Sequence, residues 1–198
     1  MDRENRTSAY TGKEIDTPYA VELYLDQQSS ERVRGLKEEL KSRGIDVDEG
    51  TRPHISLSIY GNLNLMEFRT RLERFAEAQA PFSISLAGIG IFATESPIIY
   101  LAPTVTMGLL QLHQDFCEFF SEYDGLAWDY YRPGLWVPHC TLAMNLDGSK
   151  VKEAVDIICR LRLPLYGILD KIGVLEFSPN KELFEFNLPV IPQSAELV

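Results

Sequence analysis

The sequence predicts an α+β protein in which one unit is used twice. Three observations carry that reading. Segments rich in β-branched and aromatic residues alternate with segments of helical periodicity, so strands and helices are interleaved along the chain. Pro53-His54-Ile55-Ser56-Leu57 returns as Pro138-His139-Cys140-Thr141-Leu142, 85 residues later. The order of elements around each copy is also the same, and such self-similarity marks a repeated structural unit.

Taken in order, residues 1–16 are polar with nothing to bury and are expected to form a flexible tail. Tyr19 to Leu25 reads as a strand. Ser29 or Ser30 is expected to cap a helix to about Arg43, with Val33, Leu36 and Leu40 on one face and Gly44 as its stop. An acidic connection leads to the first histidine strand, 54–60. A helix from Leu65 to Ala78 ends before Pro81. An alternating strand, Phe82 to Phe92, turns through Thr94-Glu95-Ser96-Pro97 into a short strand, 98–101. The pattern then restarts. A helix spans about 105–121, a long loop follows, and the second histidine strand covers 139–145. Ser149 opens a helix to about Leu161, a strand covers 165–177, Pro179-Asn180 turns, and a last strand covers 183–188.

The order strand, helix, histidine strand, helix, hairpin thus occurs twice. Gly88 to Phe92 lies about as far after His54 as Lys171 to Leu175 lies after His139. The expected organisation is one domain over residues 17–190, with repeat halves of about 19–97 and 98–188 and a tail at 191–198. A pseudo-two-fold axis between the halves would bring both histidine strands to one central cleft.

The chain has only three histidines, and two sit in the repeated pattern. On average composition, two full matches arise by chance well under ~0.1% of the time. A single copy would read as a half-buried strand with a structural histidine, but two copies in matching surroundings do not. In a strand, residues i and i+2 face the same way, so each copy presents an imidazole beside a hydroxyl. Two such pairs facing each other supply two proton-transfer groups and two neutral donors around one small anion. An imidazole titrates near ~6.5, so one ring can be neutral while the other is charged at neutral pH. That suits in-line opening of a phosphodiester, with a base on the attacking water and an acid on the leaving oxygen. Ser56 and Thr141 would stabilise charge on the non-bridging oxygens. Which histidine is the base stays open.

Composition narrows the partners. Nineteen basic residues stand against 29 acidic ones, a formal net charge of −10. Long nucleic acid is held mainly through Lys and Arg contacts to phosphate, so a small phosphoester or an RNA end is favoured over a long duplex. No apolar run approaches the ~20 residues that span a bilayer, and no secretory h-region is present. Three cysteines without paired spacing do not suggest a disulfide framework. A cytoplasmic monomer with no membrane partner is expected.

Two His-x-[Ser/Thr]-x motifs some eighty residues apart in a duplicated α+β chain resemble the 2H phosphoesterases, which include bacterial 2′-5′ RNA ligases and 2′,3′-cyclic phosphodiesterases. The resemblance spans roughly Tyr19 to Leu188. It implies a bilobal fold with two antiparallel sheets lining a central cleft and helices outside. It also implies metal-independent and cofactor-free chemistry on 2′,3′-cyclic or related phosphodiesters. Carried over by position, His54 and His139 would be catalytic and Ser56 and Thr141 would bind phosphate. The leading expectation is a hydrolase acting on cyclic nucleotides or RNA 3′ ends. A 2′-5′ RNA ligase or RNA-end-trimming enzyme is a sibling reading; the acidic balance weighs against the ligase. A nucleotide- or RNA-end-binding module without turnover is the reading of a different class.

Three further residues are weighed as substrate contacts. Arg132 and Trp136 lie in the aromatic segment 128–136 before the second motif, which either offers a stacking platform and a cation or simply packs between the lobes. Tyr60 shares the face of His54 if that strand is regular; otherwise it packs a wall. Arg52 reads as a solvated flank. His113 and Cys117, an i,i+4 pair with no further ligand nearby, read as a packed helix pair and no metal site. Cys140 points away from its motif neighbours and is not a nucleophile.

Overall fold

Alternating turns and apolar periods place seven strands and four α-helices in the residues that the computed structural model describes, 18–177 and 179–190. In chain order these are β1 (Pro18–Leu25), α1 (Gln27–Ser42), β2 (His54–Gly61), α2 (Leu65–Glu77), β3 (Phe82–Phe92) and β4 (Ile98–Pro103), then α3 (Met107–Phe119), β5 (Cys140–Ala143), α4 (Gly148–Ile158), β6 (Leu165–Glu176) and β7 (Lys181–Asn187). The two tails and Ser178 lie outside the described residues.

All strand pairs are antiparallel, in the order β2-β1-β6-β3-β4-β5, with β7 also on β6. Strand β6 is long enough to serve both lobes. Its first residues, Leu165 to Leu169, pair with β3, and Leu169 to Glu176 pair with β1. One hydrogen-bonded ladder therefore divides into two half-sheets, β2-β1-β6-β7 and β6-β3-β4-β5. The repeats exchange strands: β3, from the first, lies beside β4 of the second, and β6, from the second, lies beside β1 of the first. The sheet is open, and its end strands β2 and β5 are the two that carry the motifs.

The core lies between the sheet and the helices. Val21, Leu23, Ile55, Leu57, Leu101, Leu142, Ile172 and Val174 from the strands meet Val33, Leu40, Phe68, Leu72, Phe116 and Ile158 from the helices, all essentially inaccessible. At ~25 cal/mol per Å² of apolar surface buried, such side chains hold the lobes together. Between α2 and α3 the packing is aromatic, with Phe68 and Phe120 ring centroids 4.9 Å apart and Phe75 edge-on to Phe116 at 5.5 Å.

Several boundaries differ from expectation for local reasons. Asp26 caps α1, accepting from the Ser29 amide at 3.1 Å; Ser29 and Ser30 are buried inside the first turn. A carboxylate also complements the helix dipole, so Asp26 displaces the serines as the cap. Asp147 caps α4 in the same way, so the helix starts at Gly148, one residue before the predicted start at Ser149. Gly44 ends α1 in the left-handed region, φ 66°. Each motif strand is followed by a left-handed asparagine, Asn62 (φ 53°) and Asn145 (φ 56°). Each lies two residues before the cap of the next helix, Asn64 or Asp147. The repeated Asn-Leu-[Asn/Asp] is thus a second signature of the duplicated unit.

Candidate active site

Both motifs start from a proline, and in both the histidine ring folds back on the chain. His54 Nδ1 lies 2.6 Å from the Arg52 carbonyl oxygen, and His139 Nδ1 lies 2.7 Å from that of Val137. A carbonyl can only accept, so the hydrogen-bond pattern assigns the proton to Nδ1 in each ring and leaves Nε2 for chemistry. His54 opens β2, whereas His139 lies one residue before β5, which begins at Cys140. Two residues beyond each imidazole, Ser56 is buried and Thr141 half-buried. In register, Ser56 faces Glu22 of β1 and Thr141 faces Tyr100 of β4.

The two motifs are brought together by exchanged lead-ins. Residues before His54 add to the second motif strand: Asp48 N donates to Leu142 O, Met144 N donates to Asp46 O, and Val47 bridges Ala143. Residues before His139 add to the first: Gly61 N donates to Leu126 O, Trp128 N to Ile59 O, and Tyr60 bridges Ala127. The first lead-in is pinned by the buried ion pair of Lys37 with Asp48 at 3.0 Å. The second is pinned by Trp136, whose Nε1 donates to Ser56 O at 2.9 Å and whose ring stacks on His113 at 4.0 Å. The outer edges of β2 and β5 are thereby each covered by the segment that leads to the opposite histidine.

Around His54 the surroundings are polar. Glu22 Oε1 lies 3.3 Å from His54 Nε2, and the Glu22 residue is 1% exposed. Burial holds the Glu22 carboxyl above its usual range, and the His54 charge opposes this without cancelling it. The Arg52 guanidinium sits 3.9 Å over the Tyr24 ring and is committed to Glu182, at 2.7 Å, and Glu185 of β7. Lys171 pairs with the same Glu185 at 2.7 Å. Both cations are thus compensated by carboxylates of β7.

Around His139 the surroundings are aromatic. Phe92 stands edge-on to its imidazole with centroids 4.9 Å apart, and Tyr100 lies at 5.4 Å. Burial lowers the His139 pKa from 6.5; the Val137 carbonyl resists this and the His54 charge adds to it. Beside His139 opens an apolar cavity of about 290 Å³, walled mainly by Phe92, Ile98, Trp128, Tyr131, Leu135 and Trp136. The Trp128 Nε1–H is buried without a hydrogen-bond partner among the described residues.

In both lobes a tyrosine ring lies flat where a glycine leaves room. A Cβ on Gly90 would fall 2.1 Å from Tyr100 Cζ, and one on Gly173 would fall 2.8 Å from both Tyr24 Cε2 and the Phe184 carbonyl oxygen. The glycines are needed for that close approach.

The structure gathers His54, Ser56, His139 and Thr141 around the cleft and treats the other candidates differently. Tyr60 is on the wrong face. The register runs Val21 to Ser58 and then Glu22 to Ser56, so Leu57 is an extra residue and a bulge. One inserted residue flips the strand beyond it. Ile59, not Tyr60, reaches the cleft face, under Trp128 and Tyr131, while Tyr60 packs against Phe68 and Tyr123. Arg132 is exposed and held by Asp129 at 2.8 Å, and it does not wall the aromatic cavity. Trp136 does wall that cavity but is also a packing residue. His113 is a buried core histidine, 3.7 Å from Cys117 Sγ. Burial pushes the Cys140 thiol up to about 11, which keeps it a poor nucleophile. Sequence reasoning missed Glu22, Tyr24, Tyr100 and Tyr131. The signal for Glu22 was a lone carboxylate inside the apolar run of β1.

An open antiparallel sheet with a Pro-His-x-[Ser/Thr]-Leu strand at each end, the two strands facing one cleft, is the architecture of the 2H phosphoesterase superfamily. The family model of the 2′-5′ RNA ligase superfamily matches residues 25–180, and the chain belongs to that family. Among solved structures it is similar to TT0787 of Thermus thermophilus, with TM-score 0.62 and 19% identity over 86% of this chain and 97% of that one. It is also similar to E. coli LigT in its apo form, with TM-score 0.60 and 13% identity over 86% and 96% of the two chains. LigT complexed with 3′-AMP superposes with TM-score 0.58 and 13% identity, over 87% and 97%. At these identities the likeness is one of fold. No curated protein matches the chain. Among the described residues, no helix is long and apolar enough to cross a membrane.

Proposed function

We propose that the chain is a metal-independent phosphodiesterase that opens 2′,3′-cyclic phosphodiesters, as cyclic nucleotides or RNA 3′ ends. The observation that carries the reading is the pair of imidazoles, each with Nδ1 tied to a backbone carbonyl and Nε2 left over, in contrasting surroundings. The apolar walls favour a neutral His139, which takes a proton from the attacking water as the new P–O bond forms. His54, with the Glu22 carboxyl 3.3 Å from its Nε2, gives a proton to the ribose oxygen as the old P–O bond breaks. The proton taken by His139 and the one lost by His54 balance, and solvent resets the pair. Ser56 and Thr141 would donate to the non-bridging oxygens, and the aromatic cavity beside His139 has room for one base. The compensated cations and the net charge of −10 favour a small substrate over a long duplex.

The test is turnover of 2′,3′-cyclic AMP, and of a short RNA with a 2′,3′-cyclic end, in EDTA, with products resolved as 2′- or 3′-monophosphate. Turnover that EDTA leaves unchanged is expected; turnover restored only by added metal would refute the reading. LigT has been solved with 3′-AMP, ATP and NADP+. A nucleotide-binding role without turnover is therefore the second reading, and it predicts ligand retention with no product.

A further inference from the structure

We propose that Glu22 is a positioning residue of the catalytic apparatus: its buried carboxylate keeps the His54 imidazole charged and so ready to give up a proton. This rests on the phosphodiesterase reading for its purpose but not for its test. Glu22 sits in the middle of β1, where its neighbours Val21 and Leu23 are core. Among the described residues neither Glu22 oxygen makes a hydrogen bond of good geometry; the buried Tyr24 hydroxyl lies close enough to favour the ionised carboxyl, without cancelling the effect of burial. A buried carboxylate with one poorly aligned phenol beside it is costly unless an opposite charge compensates it. Among the described residues its ion-pair partner is His54 alone.

The geometry of that contact matters. Oε1 is 3.3 Å from Nε2, yet the approach does not qualify as a hydrogen bond, so the carboxylate lies off the N–H axis. It can stabilise the imidazolium electrostatically while the N–H stays free to point at a phosphate ester. The pseudo-two-fold axis supplies an internal control. Glu22 pairs in register with Ser56 and Gly173, and Tyr100 pairs with Thr141 and Gly90. The same backbone position thus holds a carboxylate beside one imidazole and a phenol beside the other.

The other groups facing this pair do not replace Glu22. From β1 comes the Tyr24 phenol and from the 128–136 loop the Tyr131 phenol, whose pKa Glu22 helps to raise. Asp48, paired with Lys37, and Glu182, paired with Arg52, add negative charge from further off. Across the cleft stands His139, whose environment favours the neutral ring.

The experiment is a histidine NMR titration of wild type and Glu22→Gln, with His54 assigned by the signal lost in His54→Asn; only three histidines have to be resolved. An opposite charge within ~4–6 Å shifts a pKa by about 1–3 units. The His54 ring should therefore lose its proton at least about one pH unit lower in Glu22→Gln than in wild type. On the cyclic substrate, kcat/KM of Glu22→Gln should fall about tenfold at pH 8 and by less than about threefold at pH 6, with Glu22→Asp restoring the pH 8 value. A purely structural role would lower activity equally at both. Should Glu22→Gln not fold, Glu22→Asp against Glu22→Asn repeats the comparison, the Asn variant titrating lower. An unchanged His54 midpoint between charged and neutral variants overturns the proposal. A shifted midpoint without turnover upholds it and refutes only the substrate reading.

Discussion

At the strand position facing the motif hydroxyl, the first lobe carries Glu22 and the second carries Tyr100. Around them the backbone is the same. Each histidine is tied by Nδ1 to the carbonyl two residues back, each lobe seats a tyrosine on a glycine, and each edge is covered by the other's lead-in. The fillings differ. Charged pairs of Arg52, Lys171, Glu182 and Glu185 surround the first site, and Phe92 and the aromatic cavity surround the second. Duplication explains the matched scaffold, and the divergent fillings set two identical side chains in different electrostatic surroundings.

The comparison breaks first at the imidazoles. His54→Ala and His139→Ala should each lower turnover by about 10²–10⁴, because both lobes supply one proton transfer. A variant losing less than tenfold would show that its lobe is a scaffold only. Next come the glycines. Gly90→Ala and Gly173→Ala should each cost about 1–3 kcal/mol in denaturant unfolding, since the new methyl displaces a packed ring or meets backbone.

Third is pH-dependent stability. The Glu22 carboxyl binds its proton more tightly folded than unfolded, so its contribution to stability is full below 4.5 and is lost as pH rises through the folded value. Glu22→Gln should then melt about 2–4 °C above wild type near pH 8 and show no gain near pH 4. The smallest effect tests the tether between lobes. Trp136→Phe removes the bond to Ser56 O and should cost about 1 kcal/mol while keeping the stack on His113.

Much of this was legible beforehand because it depends on local chemistry. Alternation in Phe82 to Phe92, the apolar stripe of α1 and the two Pro-His motifs specify elements and their order within a few residues. The cleft contents were less legible because they depend on register. The bulge at Leu57 has no glycine or proline to announce it, and it moved Tyr60 off the face that regular alternation assigns. The exchange of lead-ins needs the pairing of residues 46–48 with β5 and of 126–128 with β2, which strand propensity does not encode. Glu22 was visible as a charge within an apolar strand, but its meaning required the neighbouring strand to place His54 beside it.

Two histidines with separate roles carry the proposed mechanism, and the pH dependence of kcat/KM on 2′,3′-cyclic AMP tests that most directly. Wild type should give a bell, with the acidic limb lost in His139→Asn and the basic limb lost in His54→Asn, each on a much reduced rate. A bell whose limbs both persist in either variant would contradict the two-histidine mechanism.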